Sequence, residues 1–276
     1  MGSGPNSQHN PVKEVPTMAS AVKPSPAQPS HAFCQILGLN FFTGNVSEAV
    51  DRMSHGGLLV VPSAPVLKDL RTNLKYREAA LNADLLIADS SFMVLIWNSI
   101  DRDRIKRVSG LAYLRELLSR PDVRDPGATF WIMASPESAR RNTAWLHSRG
   151  FSLKPDDLYI APMYAGDIAD PELLARLNEK HPRHIVVTIG GGTQEGLGLY
   201  IKRHVDFAPA IHCIGAAIAF LSGDQVQIPE WADHFYLGWL LRCLANPRRY
   251  MARYWAARKL LPLMIRYRRE LPSTEL

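Results

Sequence analysis

The stretch His184-Ile185-Val186-Val187-Thr188-Ile189-Gly190-Gly191-Gly192-Thr193-Gln194-Glu195 decides the fold. A β-rich, mostly apolar run enters three glycines and then a helical pattern over 195–205, so the segment reads strand, tight turn, helix. A strand that is apolar on both faces belongs in a sheet covered on both sides. The unit recurs outward in both directions. Apolar runs at 35–42, 58–61, 84–87, 129–133, 157–160 and 210–214 alternate with helical patterns at 46–54, 66–81, 111–120, 135–148 and 171–180. Asn45 followed by Glu48, and Ser135 followed by Pro136-Glu137-Ser138, mark two of the helix starts. The alternation predicts βαβ crossovers. The expected fold is α/β, a Rossmann-like parallel sheet with helices on both faces and ligands at the carboxyl ends of the strands.

The chain has 276 residues, 46% hydrophobic and 21% charged, enough for one large or two small globular domains. No period of repetition marks a solenoid. Cys34, Cys213 and Cys243 are too few and too scattered for a disulfide framework or a zinc cage, so a reducing, cytoplasmic compartment is expected. No apolar run reaches the ~18 residues of a spanning helix. The nearest, 85–100, is interrupted by Asp89 and Asn98. Residues 1–31, rich in Ser, Pro, Gln and Ala, carry no secretory signal and are expected to be a disordered leader. An α/β domain over 32–241 and a basic, amphipathic helical appendage over 242–276 would follow. The net charge is +6, yet 242–270 alone holds nine basic residues and one acid, leaving 23 basic and 25 acidic elsewhere. An anionic partner should therefore meet the tail.

Three constellations carry chemistry. Asp89 follows the run 83–88 and precedes Ser90-Ser91 and an apolar helix, a place where a partly desolvated carboxylate can act as a general base or, alternatively, cap the helix. Gly190, Gly191, Gly192, Thr193, Gln194 and Glu195 form a glycine turn opening a helix, expected to cradle a phosphate or diphosphate or else to pack tightly. The turn is neither a dinucleotide fingerprint nor a Walker loop. In the tail, Arg248, Arg249 and Arg253 are interleaved with Tyr250, Tyr254 and Trp255, with Pro262 expected to kink or end the helix. Such a segment can lie on an anionic bilayer, reach a diphosphate, or simply pack on the core. Asp101-Arg102-Asp103 has the D-x-D form of a cation site but reads as part of a solvated charged loop, and His181 and His184 read as surface residues rather than metal ligands. No metal site, no cofactor and no nucleic-acid partner is expected; a homo-oligomer is compatible with the sequence.

Five blocks in order resemble one known family: Asn82-Ala83-Asp84-Leu85-Leu86-Ile87-Ala88-Asp89; Lys106-Arg107-Val108-Ser109-Gly110; Gly190-Gly191-Gly192-Thr193-Gln194-Glu195; Ile214-Gly215-Ala216-Ala217-Ile218-Ala219-Phe220-Leu221-Ser222-Gly223; and Gly238-Trp239-Leu240-Leu241-Arg242 through Asn246-Pro247-Arg248-Arg249-Tyr250. These are similar to the ordered motifs of the WecG/TagA/CpsF glycosyltransferases, family 26. The resemblance implies an inverting, metal-independent enzyme that moves a sugar, of N-acetylmannosamine type or a hexose, from a UDP-sugar to a polyprenyl-diphosphate-linked saccharide in cell-surface polysaccharide synthesis. It implies that Asp89 matches the base and that Arg107 and Gln194 match active-site polar residues. The arginine-rich tail, with Arg242, Arg248, Arg249 and Arg253, matches an appendage that closes over the site on the inner face of the membrane.

The chain departs from the family pattern in places. Val61-Pro62-Ser63-Ala64-Pro65 stands where Thr-x-Asn is usual, Ser90 where the family has Gly, Ala219 where it has Asp, and Gly238 where it has Glu. The lost carboxylates leave a second reading open, a nucleotide-sugar-binding protein without turnover. An NAD-linked oxidoreductase is disfavoured by the failed fingerprint.

Overall fold

The computed structural model describes residues 32–223, 251–252 and 255–275, together with Met1. Eight strands are present among them: β1 (Phe33–Ile36), β2 (Leu39–Phe42), β3 (Gly57–Val60), β4 (Leu85–Ile87), β5 (Thr129–Met133), β6 (Leu158–Ile160), β7 (His184–Val187) and β8 (Ala210–Cys213). They form one sheet in the order β1-β2-β4-β3-β8-β7-β5-β6, parallel throughout except for the β1–β2 pair. The expected α/β sheet is present. Between the strands run α1 (Val46–Met53), α2 (Ala64–Leu67), α3 (Leu74–Leu81), α4 (Ser91–Ile100), α5 (Gly110–Ser119), α6 (Pro136–Ser148), α7 (Pro171–Lys180), α8 (Gln194–His204) and α9 (Ala217–Ser222), with α10 (Leu260–Tyr267) near the end of the chain.

Both faces of the sheet are covered, which accounts for strands such as Thr129-Phe130-Trp131-Ile132-Met133 that are buried at every position. Leu58, Val60, Leu86, Ile132, Val187 and Cys213 face a core shared with α2, α3, α4, α7, α8 and α10. Leu59, Leu85, Ile87, Trp131 and Val186 face the other core, with α1, α5, α6 and α9. Helix starts follow local chemistry. Asn45 and Glu48 exchange side-chain-to-backbone bonds of 2.9 and 3.0 Å, a full capping box, and the Ser135 hydroxyl caps α6.

Two segments differ from the reading of the sequence because polar side chains and turn geometry break apolar runs. The run 35–42, taken as one strand, is a hairpin turning at Leu37 and Gly38, both with positive φ (52° and 75°). A two-residue turn with two left-handed residues matches the twist of its strands. The pattern over 66–81, taken as one helix, is split because the Asn73 side chain accepts from Tyr76 N at 3.0 Å and starts α3 afresh.

The tail is also built into the body more firmly than expected. Leu260 and Met264 of α10 are buried in the first core, and Pro262 lies in the first turn of the helix, where its missing N–H removes no helical bond. Leu37 and Gly38 donate their N–H groups to Arg268 and Arg269 carbonyls at 2.7 and 2.8 Å. Arg269 pairs with Asp101 at 2.8 Å and Asp103 at 2.6 Å. Asp101-Arg102-Asp103 is therefore an anchor for the tail rather than a solvated loop. Trp97 Nε1 donates to the Asp103 carbonyl and Asn98 bonds Ile105 in both directions, wrapping that loop onto α4. No helix among the described residues is long and apolar enough to cross a membrane.

Candidate active site at the carboxyl edge of the sheet

Asp89, the Gly190–Gly192 turn and Gly215 follow β4, β7 and β8, so all three lie on the same edge of the sheet. β4 and β7 are separated by β3 and β8, which puts their ends roughly 14 Å apart at the usual strand spacing. β8 leads to α9 on one face while its neighbours β3 and β7 lead to α2 and α8 on the other. The chain parts on either side of β8, the arrangement that opens a ligand crevice in α/β sheets.

At the β4 end, Ser90 rather than Asp89 caps α4, its hydroxyl accepting from Met93 N at 3.2 Å. That frees the Asp89 side chain for other bonds. Its Oδ1 accepts from Gly110 N at 3.0 Å and from Arg107 Nη2 at 3.2 Å, while Arg107 Nε donates to the Asp89 backbone carbonyl at 2.5 Å. Val108 N bonds the Ala88 carbonyl, which holds the segment carrying Arg107 along the end of β4. The carboxylate is one-third exposed, and Oδ2 has no hydrogen bond among the described residues. One oxygen is tethered and the other is available to accept a proton.

At the β7 end the glycine turn is tight, with Gly192 at φ 97°. Three of its amides are used internally. Gly192 N donates to Glu195 Oε2 at 2.6 Å, and Thr193 N and Gln194 N both reach the Gly190 carbonyl, at 3.4 and 3.2 Å. Three successive N–H groups thus turn inward, where the sequence led us to expect them aimed at a phosphate. Glu195 is buried beneath the turn, facing Tyr76, whose hydroxyl is pushed up by burial and then by the Glu195 charge. Gln194 is 3% exposed; its Nε2 donates to Glu195 Oε1 at 3.1 Å and lies 3.4 Å from the Cys213 carbonyl, and its own carbonyl accepts from the Cys213 thiol.

The loop between α2 and α3 was not singled out in the sequence, yet it borders the turn. An open groove of about 570 Å³ is lined by Asp69, Thr72, Asn73, Leu74 and Lys75, and Asn73 Nδ2 would lie 3.9 Å from a Cβ placed on Gly192. The capping Asn73 was the one available signal. His184, expected at the surface, is buried, because β7 places it beneath the sheet's second face against His212. Among the described residues no three His, Cys, Asp or Glu side chains converge as a metal site. Arg242, Arg248, Arg249 and Arg253, the remaining expected contacts, lie outside the described residues.

A covered parallel sheet with a carboxylate, an arginine and a glycine turn along its carboxyl edge defines a doubly wound α/β protein with its candidate site at that edge. The family described as "Glycosyl transferase WecG/TagA/CpsF family" matches residues 34–274, and the chain belongs to that family. It is also 21% identical over 220 residues, covering 77% of this chain and 80% of the relative, to an N-acetylglucosaminyldiphosphoundecaprenol N-acetyl-beta-D-mannosaminyltransferase of Bacillus spizizenii.

Proposed function

We propose that this protein is an inverting glycosyltransferase that moves a sugar from a UDP-sugar to a polyprenyl-diphosphate-linked saccharide in cell-surface polysaccharide synthesis, working on the inner face of the membrane. The observation that carries the reading is the Asp89–Arg107 pair at the end of β4, a one-third-exposed carboxylate with one oxygen bound and no hydrogen bond to the other among the described residues. The relative's name supplies the acceptor class and an N-acetylmannosamine-type sugar.

In this mechanism Asp89 Oδ2 takes the proton of the acceptor hydroxyl as its oxygen attacks the anomeric carbon. The bond from that carbon to the diphosphate oxygen breaks, and UDP leaves with the electron pair. Arg107 offsets the charge that accumulates on the diphosphate, with Arg242, Arg248, Arg249 and Arg253 proposed as further cationic contacts. The Gly190–Glu195 turn meets the donor.

The membrane side of the proposal draws support from an exposed apolar surface. Arg268 at the end of α10 binds Asp101 at the end of α4, so the two helices end together, and α4 starts two residues after Asp89. Phe92 and Leu95 of α4, Leu261 and Ile265 of α10, and Trp255 are exposed, and Arg258 stacks 3.9 Å over the Trp255 ring. Apolar side chains rimmed by cations suit an anionic interface.

The direct test is transfer from a panel of UDP-sugars to polyprenyl-diphosphate-linked N-acetylglucosamine, with the anomeric configuration of the product read by NMR. An inverted product from UDP-N-acetylmannosamine or a UDP-hexose is expected. A retained configuration, or donor binding with no transfer to any lipid-linked acceptor, contradicts the proposal.

A further inference from the structure

We infer that the Gly190–Glu195 turn reads a sugar rather than a phosphate, with Gln194 Oε1 as the acceptor of a sugar hydroxyl or acetamido N–H. The inference rests on the glycosyltransferase reading and assigns a task within it. Oε1 is buried and has no hydrogen-bond partner, although Gln194 is 3% exposed. An amide oxygen left without a partner at that depth is costly, so its persistence points to a partner that arrives with the ligand. The orientation of the amide is fixed by its surroundings. Nε2 sits between two acceptors, Glu195 Oε1 at 3.1 Å and the Cys213 carbonyl at 3.4 Å, so the atom left over must be the oxygen. Gly215, with φ 60°, leaves space beside it, since a Cβ there would come within 3.5–3.6 Å of the amide.

Three of the turn's amides face away from an anion. The amides of Gly192, Thr193 and Gln194 are all satisfied within it, and a helix N-terminus binds phosphate only when such groups point at the ligand. The Glu195 carboxylate lies directly beneath, 2.6 Å from Gly192 N. An O–H or N–H arriving at the turn finds an acceptor in Gln194 Oε1. The diphosphate then falls to the arginines.

Calorimetric titration of the full chain with UDP, UDP-N-acetylmannosamine and UDP-glucose separates the two assignments. In the unsubstituted protein at least one UDP-sugar should bind about tenfold more tightly than UDP, by a factor that does not change between low and high salt. In Gln194→Met that advantage should vanish while UDP affinity stays unchanged. If the hydroxyl comes from the acceptor saccharide, the variant instead shows about a tenfold rise in KM for the acceptor with UDP affinity again unchanged. A fall in UDP affinity itself in the variant, or equal affinity of the unsubstituted protein for UDP and every UDP-sugar with no acceptor effect, overturns the inference. Absence of any nucleotide binding by the unsubstituted protein removes the glycosyltransferase reading beneath it, a distinguishable result.

Discussion

Gly110 donates its backbone N–H to Asp89 Oδ1 at 3.0 Å, so the first residue of α5 and the second residue after β4 hold each other across a 21-residue separation. Arg107 closes the same loop from the other side, binding both the side chain and the carbonyl of Asp89. The carboxylate is positioned by the backbone of one segment and the guanidinium of a neighbouring residue, both acting on Oδ1.

Arg107 binds Asp89 through separate nitrogens of one planar group, a geometry lysine cannot reproduce. Arg107→Lys should therefore keep its fold, seen as an unchanged circular dichroism spectrum, and lose about tenfold or more in kcat. Equal turnover would remove Arg107 from the positioning of Asp89.

Gly38 has φ 75°, and a Cβ there would lie 2.5 Å from Leu271 Cβ. Gly38→Ala should cost roughly 2–4 kcal/mol from left-handed strain and overpacking, measured by urea unfolding. It should also loosen residues 268–275 to proteolysis. A variant as stable as the parent would show that the tail does not seat against the hairpin.

The architecture could be read from residues because its signals were local. Strand runs buried on both faces, capping pairs at Asn45 and Ser135, and the Asp89 and Gly190–Glu195 junctions all announced the carboxyl edge. What could not be read depended on distant partners. Arg269 lies far in sequence from Asp101 and Asp103, so nothing nearby showed that those acids are paired. His184 looked like a surface residue because its partner, His212, sits on another strand. The inward turn of the Gly192 amide depends on Glu195 folding back, a choice that glycine spacing does not dictate.

A buried polar chain predicts acid sensitivity. Tyr113 Oη lies 2.9 Å from His212 Nδ1, His212 Nε2 lies 3.1 Å from His184 Nδ1, and His184 Nε2 faces Asp122 at 3.7 Å with Arg183 nearby. Burial holds both imidazoles below the ordinary histidine value, His212 the more strongly, the His184–His212 contact adding to it. Because the folded values are lowered, the unfolded chain binds more protons as pH falls below about 6.5, and stability is lost from there downward. Thermal melts should be flat from pH 8 to 7 and drop between 6.5 and 5.5. A constant midpoint across that window contradicts the neutral buried pair.

Trp255 and Ile265 are exposed on the basic tail segment. The double variant Trp255→Ser, Ile265→Ser should float less with vesicles containing anionic phosphatidylglycerol while retaining transfer to a short-chain, water-soluble acceptor. Undiminished flotation would place the membrane contact elsewhere.

The most direct measurement is single-turnover sugar transfer by Asp89→Asn, with donor binding followed in parallel. The variant keeps the size of the side chain and an oxygen for Gly110 N but cannot take a proton. The account predicts a loss of about 10²–10⁴-fold in the transfer rate with donor affinity essentially intact. Transfer at the parent rate by a folded Asp89→Asn protein would contradict it.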